Sequence, residues 1–328
     1  MRWRRWAWLG ALLLLASGCG LRPSCPAGMT VVADDLANPR GLALGPDGAL
    51  YVAEAGDDAV GGRITRIGAD GSQARVVAGL PHSVNAGVED VGTSALAFRG
   101  GDLYAVEAEA AGDLASALLR VRDGRAEKAA DLLEFENRVN PDGLGLESNP
   151  FALLYESAED RFYATDSAGN SLVRIDPGGR VDAVAAWPDD AVPTGLVRGP
   201  DGAFYVALFG KFPHALGTGR IDRVDVAGRV STAVPGLTMP IGVGVADGAT
   251  YVLEFASALD LQPRLAFRPN SGRLLRIVGE RREALVEGLR YPTALLADGG
   301  GGFYVSDGGA IVGAGKGRVL RVAACTVK

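Results

Sequence analysis

The stretch NPRGLALGPDGALYVAEAG, Asn38–Gly56, returns as VPTGLVRGPDGAFYVALFG, Val192–Gly210. Each copy holds an apolar run, the turn Gly-Pro-Asp-Gly and a second apolar run. Proline presets φ at the second turn position and glycine supplies the exit, so each copy reads as a β-hairpin. Four looser copies begin at Val91 (VGTSALAFRGGDLYAVE), Asn149 (NPFALLYESAEDRFYATD), Met239 (MPIGVGVADGATYVLE) and Tyr291 (YPTALLADGGGGFYVSD). The second run opens around a tyrosine every time: Tyr51, Tyr104, Tyr163, Tyr205, Tyr251 and Tyr304.

A third run follows each hairpin: ITRI (64–67), LLRV (118–121), LVRI (172–175), IDRV (221–224), LLRI (274–277) and VLRV (319–322). A fourth follows five of them, as ARVVAGL, AEKAADLL, RVDAVAAW, RVSTAVPGL and REALVEGL. Four short strands repeating about every 50 residues describe a propeller blade, a unit that buries its faces only against copies of itself. The sixth unit lacks its fourth strand. TVVADDL (30–36) matches ARVVAGL (74–80) and leads into Asn38-Pro39 as its counterparts lead into later blades. It is expected to pair beside 318–322. The fold class is therefore all-β: a six-bladed β-propeller of four-stranded blades, closed by an N-terminal strand that completes the last blade and removes a free sheet edge.

The chain has 328 residues, 48% of them hydrophobic, and a formal charge of -6. No basic stripe lies beyond the first five residues, which argues against nucleic acid as a partner. The segment MRWRRWAWLGALLLLASGCG joins three arginines to a short apolar run, the pattern of a secretory signal. Its end, Leu15-Ala16-Ser17-Gly18-Cys19, resembles the bacterial lipobox, which implies lipid attachment at Cys19. The expected organisation is a signal peptide at 1–18, an anchor and linker at 19–27, and a propeller at 28–328. The expected product is a monomer exported to the periplasm or cell surface and held on the membrane by its lipid. Export permits a disulfide, and strand pairing at the ring closure puts Cys25 and Cys325 at one seam, so these two are expected to be joined.

The ordered motifs NPRGLALGPDGALYVAEAG, SNPFALL, TDSAGNSLVRIDPGG, VPTGLVRGPDGAFYVALFGKFP and YVSDGG followed by GKGRVLRV resemble the ScyD/ScyE family of secreted propellers across the whole mature chain. More loosely the chain is similar to NHL-repeat and TolB-like six-bladed propellers. The resemblance implies fold and export, and leaves the activity open.

Residues present in every blade are expected to hold blades together, and function to lie where one blade departs. The third-strand arginines, Arg66, Arg120, Arg174, Arg223, Arg276 and Arg321, accordingly read as structural, paired between blades. The second strands end in Glu54, Glu107, Asp166, Leu208, Glu254 and Asp307. Five carboxylates around one mouth offer hard oxygen ligands to a Ca2+-like cation. The other reading is that each caps its own blade's loop. The same face is expected to carry Arg40, Thr93, Phe151, Thr194, Ile241 and Thr293, which open the inner strands, and the long loops 55–62, 108–116, 209–219 and 255–272. The connections 81–90 and 133–148 join them there.

Long loops on a rigid scaffold are where binding residues gather. The ligand-binding candidates are Arg40, Asn149, Lys211, His214, Arg264 and Arg268. Asn38 and Asn149 precede prolines, where an extended backbone is favoured. With only His82 and His214, a multi-histidine zinc site is excluded and a Ser-His-Asp triad poorly supported. The inner-strand openings do not reproduce the calcium ligands of gluconolactonase-like propellers. The His and Arg pair of quinone-dependent sugar dehydrogenases has no evident counterpart. The leading expectation is a binding or accessory protein. The alternatives are a cation-dependent lyase or hydrolase at the mouth and a scaffold in an envelope complex.

Overall fold

The six hairpins are the inner halves of six four-stranded antiparallel sheets. The computed structural model describes residues 28–85, 89–260 and 266–323. Cys19, Cys25, Cys325 and Arg264, with the signal and linker segments, lie outside the described residues. Blade one comprises Pro39–Leu44, Leu50–Glu54, Gly62–Ile67 and Gln73–Leu80. Blades two to five cover 93–131, 150–186, 193–237 and 240–289 in the same inner-to-outer order. Each inner strand contacts the inner strands of its two neighbours, so the sheets stand radially around a central channel.

The ring closes as the sequence pattern requires. Met29–Leu36 pairs antiparallel with Gly317–Val322, Met29 opposite Val322 and Leu36 opposite Gly317, and becomes the outer strand of blade six. Ala33 and Leu36 of this strand are buried in a cluster with Val319 of blade six and Leu42, Leu50, Val52 and Ile67 of blade one.

The repeated tyrosine is an inter-blade contact. Tyr51, Tyr104, Tyr163 and Tyr251 meet Phe98, Phe162, Phe204 and Phe303 of the next blade, with ring centroids 4.9, 4.6, 4.4 and 4.7 Å apart. Such aromatic pairs add about 0.5–1.5 kcal/mol each beyond the area they bury. The inner strands close in through a ring of small residues: Gly41, Ala95, Ala152, Gly195, Gly242 and Ala294. A Cβ on Gly41 would lie 2.5 Å from the Ala95 Cα, and one on Gly195 would lie 2.7 Å from the Gly242 Cα.

Three local expectations are corrected. The third-strand arginines pair within their own blade rather than between blades: Arg66, Arg223 and Arg321 bond Asp47, Asp201 and Asp298 of the hairpin turn. Arg120 bonds Asp102 in the same manner. The ladder sets Thr93 opposite Glu107 just as Pro39 faces Glu54, so Ser94 rather than Thr93 is the counterpart of Arg40. Asn38 is left-handed (φ 52°) rather than extended, as are Val192, Met239 and Tyr291 before the later prolines. The chain must reverse there between an outer strand and the next inner strand, and hydrogen bonds at that turn outweigh the local preference.

Three elements interrupt the repeat. Ser83–Asn85 pairs with Glu89–Val91, and Leu259–Asp260 with Ala266–Phe267, each as a two-stranded ribbon on the loop-rich face. The third is a helix, α1 (Leu132–Val139), where a loop was expected. Asp131 caps it by accepting from the Glu134 amide, and Asn140 ends it in the left-handed conformation.

Candidate functional site

The five shared carboxylates are buried, and each is turned into its own blade. Glu54 accepts from the Ala37 amide (2.6 Å), the Arg63 guanidinium (2.8 Å) and the Thr65 hydroxyl (2.5 Å). Glu254 accepts from the Thr238 amide and Arg273, and Asp307 from the Arg290 amide and Arg318. Asp166 takes the Ser148 hydroxyl and the amides of Asn149 and Gly169. Glu107 takes the Thr93 hydroxyl, and its other oxygen has no partner. Burial pushes Glu107 well above the usual carboxylate range, and pushes Asp166 and Asp307 up against the opposing pull of their donors.

The common job of these side chains is to tie the turn that leads into each blade. Where blade four has Leu208, the Asn170 side chain performs it by accepting from the Val192 amide. Among the described residues no three acidic, histidine or cysteine side chains converge as a metal-binding group. The residues present therefore do not fit the Ca2+-like cation expected at Glu54, Glu107, Asp166, Glu254 and Asp307, because the oxygens of four of them are committed to amides, hydroxyls and guanidinium groups, which leaves a single free oxygen on Glu107.

The residues that differ between blades build the mouth instead. Arg40, buried at the start of the first inner strand, donates to Glu89 Oε1 (2.9 Å) and to the Asp90 carbonyl (2.5 Å). Asn38 donates to Asp90 Oδ2, and His82 contacts Asp90 Oδ1 at 2.9 Å and Asp58 at 3.3 Å. The 83–91 ribbon is thereby fastened to blade one, while Ser83 and Asn85 bond Glu109 of blade two. Burial first, then Glu147, Glu89 and Asp166, push the Glu109 carboxyl up.

The loops of blades four and five supply an aromatic group. His214 lies edge-on to Phe209 at 4.9 Å and to Phe212 at 5.6 Å, and tilted against Phe267 at 5.7 Å. Phe255 continues the group to Tyr291, stacked at 5.3 Å, whose hydroxyl donates to the Phe267 carbonyl. His214 Nδ1 is 2.9 Å from the Gly210 carbonyl, and burial holds the imidazole below its ordinary value. The Gly210 carbonyl, and after it the Glu89 carboxylate, pull that value the other way.

Of the other candidates, Lys211 is exposed, Arg268 is spent on Asp260 at 2.8 Å, and Asn149 acts through its backbone. Sequence reasoning missed Glu89, Asp90 and Glu109, and the rings Phe209, Phe255, Phe267 and Tyr291. The available signal was the concentration of phenylalanine in the loops FGKFPH and EFAS and in LAFRP.

Beneath the mouth the channel encloses about 550 Å3, walled mainly by Leu42, Ala97, Leu153, Leu196, Val243 and Leu295. Arg40 and Leu42 are buried whereas Leu44, nearer the hairpin turn, is exposed, so the channel opens more widely on the turn side.

No protein-family model matches this chain, and no curated protein sequence matches it significantly. Solved structures do. The PQQ-bound aldose sugar dehydrogenase of Streptomyces coelicolor superposes with a TM-score of 0.60 at 17% identity, over 91% of this chain and 98% of that one. Virginiamycin B lyase of Staphylococcus aureus gives 0.55 at 14%, over 90% and 100%. A Thermus thermophilus oxidoreductase, provisionally described as a glucose dehydrogenase, gives 0.61 at 19%, over 90% and 100%. The likeness shows the fold alone. One propeller carries a lyase in one case and a dehydrogenase in another, so chemistry has to be argued from the mouth.

Proposed function

We propose that this chain is an exported, lipid-anchored propeller of the ScyD/ScyE type that binds a small molecule or protein partner at its loop-rich mouth. One observation carries the reading. The side chains that reach the mouth, Arg40, Glu89 and His214, are peculiar to single blades, while the shared carboxylates are turned into their own blades. The alternative of a cation-dependent lyase or hydrolase is less favoured, since four of its five carboxylates are held by those internal bonds.

The anchor is attributed to Cys19 on the lipobox pattern. A disulfide between Cys25 and Cys325 is supported by the seam beside it, where the Ala323 amide donates to the Gly28 carbonyl at 3.0 Å.

Native mass spectrometry of the full-length protein extracted from its membrane tests the binding reading. A bound mass should be carried by the wild type and by Arg66→Ala, on the turn face, and lost from Arg40→Ala and His214→Ala. Retention by both mouth variants would refute the assignment. Cys19→Ser should move the protein to the soluble fraction, and an unchanged distribution would refute the anchor.

A further inference from the structure

The mouth has two chemically different sides. On the blade-four and blade-five side, Phe209 and Phe255 are buried and support Phe267 and His214, while Phe212 stands 71% exposed at the outer edge. That is an aromatic shelf with an open ring. On the blade-one to blade-three side stand Glu89, Asp90 and Glu109, with Glu147 next to Ser148, whose carbonyl accepts from the Ser116 hydroxyl at 2.6 Å; Arg40 and His82 face Glu89 and Asp90. Arg40 is spent on Glu89 and a carbonyl. Among the described residues Glu109 and Glu147 have no cation within bonding distance, and the Glu109 carboxylate accepts from the Asn85 side-chain amide. The two sides lie on one face of the ring: the aromatic loop follows the second strand of blade four, and the acidic ribbon is bonded to Arg40 at the opening of the first inner strand.

We propose that the ligand of this mouth is an amphipathic cation, with a flat ring-bearing body seated on Phe212, His214 and Phe267 and a protonated amine directed at Glu109 and Glu147. The proposal rests on the mouth being the binding site and names the class of molecule it takes. An anionic ligand of the same body would meet uncompensated carboxylates. A cation gains from them and from the negative faces of the rings. His214 serves as a neutral ring, since burial disfavours its charged form. Of the described cations on the aromatic side, Lys211 is exposed on a loop, where solvent screens it, and Arg268 is paired with Asp260.

A matched pair of dyes separates the body from its charge. Dansylcadaverine carries the dansyl ring with a primary ammonium, and dansylglycine carries the same ring with a carboxylate. Titrated into the full chain at low salt, dansylcadaverine should bind about tenfold tighter, with blue-shifted emission. The preference should fall towards unity in Glu109→Gln/Glu147→Gln and at high salt. Phe212→Ser, at an exposed position that does not threaten the fold, should weaken both dyes together. Equal or tighter binding of dansylglycine, still sensitive to Phe212→Ser, overturns the cation assignment and leaves the mouth as the site. Binding of neither dye, or binding that ignores Phe212→Ser, overturns both.

Discussion

Glu136 shows how much a single side chain depends on an element the repeat does not contain. It lies on the inner face of α1, 1% exposed, with Oε1 unpartnered, against the 166–170 turn, where a Cβ on Gly169 would come within 2.8 Å of its other oxygen. Burial, with Asp166 and Asp142 adding repulsion, pushes its carboxyl up to about 7 from an ordinary 4.5. The folded chain therefore holds this proton more tightly than the unfolded chain. The stability it contributes is complete below about 4.5 and is lost as pH rises through about 7. Glu136→Gln, which cannot ionise, should melt with the wild type at pH 4 and about 2–4 °C above it at pH 8. A difference in melting temperature that is the same at both pH values would show that the carboxyl does not titrate there. Nothing in the sequence marks Glu136, because its burial follows from the helix. Glu54 and Glu254 were legible as shared residues, but sequence cannot tell a mouth ligand from a blade cap. That choice is made by Ala37 and Thr238, whose amides point at them.

At the scale of elements, the hairpins were readable because their turn chemistry and their tyrosines recur. The helix was not, since AEKAADLL looks like another outer strand. Only its first six residues are one: the strand Arg125–Asp131 ends at the residue that caps α1. Asp131 with Glu134 three residues on was the usable sign of a helix start. The small-residue position of the inner strands is likewise an element property. Gly41→Ala adds one methyl group, but its neighbours at 2.5 and 2.7 Å are the Ala95 Cα and the Ser94 carbonyl oxygen. Backbone cannot step aside as a side-chain tip can, so blades one and two must separate locally. The expected cost is about 2–3 kcal/mol in chemical denaturation. Ala294→Gly, the reciprocal change in blade six, introduces no such clash and should cost about 1 kcal/mol or less. Equal effects of the two would show that inner-strand contact does not set the ring's diameter.

For the whole molecule, the closure was legible because Met29–Leu36 carries the pattern of an outer strand without the three strands that should precede it. The mouth was not legible at this scale. Its residues come from the loops of separate blades, and only the closed ring gathers those loops on one face. Closure also makes the first described strand indispensable. Without Met29–Leu36, the third strand of blade six, Gly317–Val322, becomes an open edge, and the cluster of Ala33 and Leu36 with Val319 and blade one is exposed. The lost ladder and apolar contacts amount to roughly 4–6 kcal/mol. A chain beginning at Asn38 should therefore melt about 10 °C lower and self-associate through that edge. A chain beginning at Gly28 keeps the whole closing strand and lacks Cys25 just as the shorter chain does, so the two differ in that strand and the longer should melt about 10 °C above the shorter. Size-exclusion chromatography and thermal melts of the two read this directly. If the shorter chain stays monomeric with an unchanged midpoint, blade six is stable with three strands, and ring closure is not what holds the propeller together.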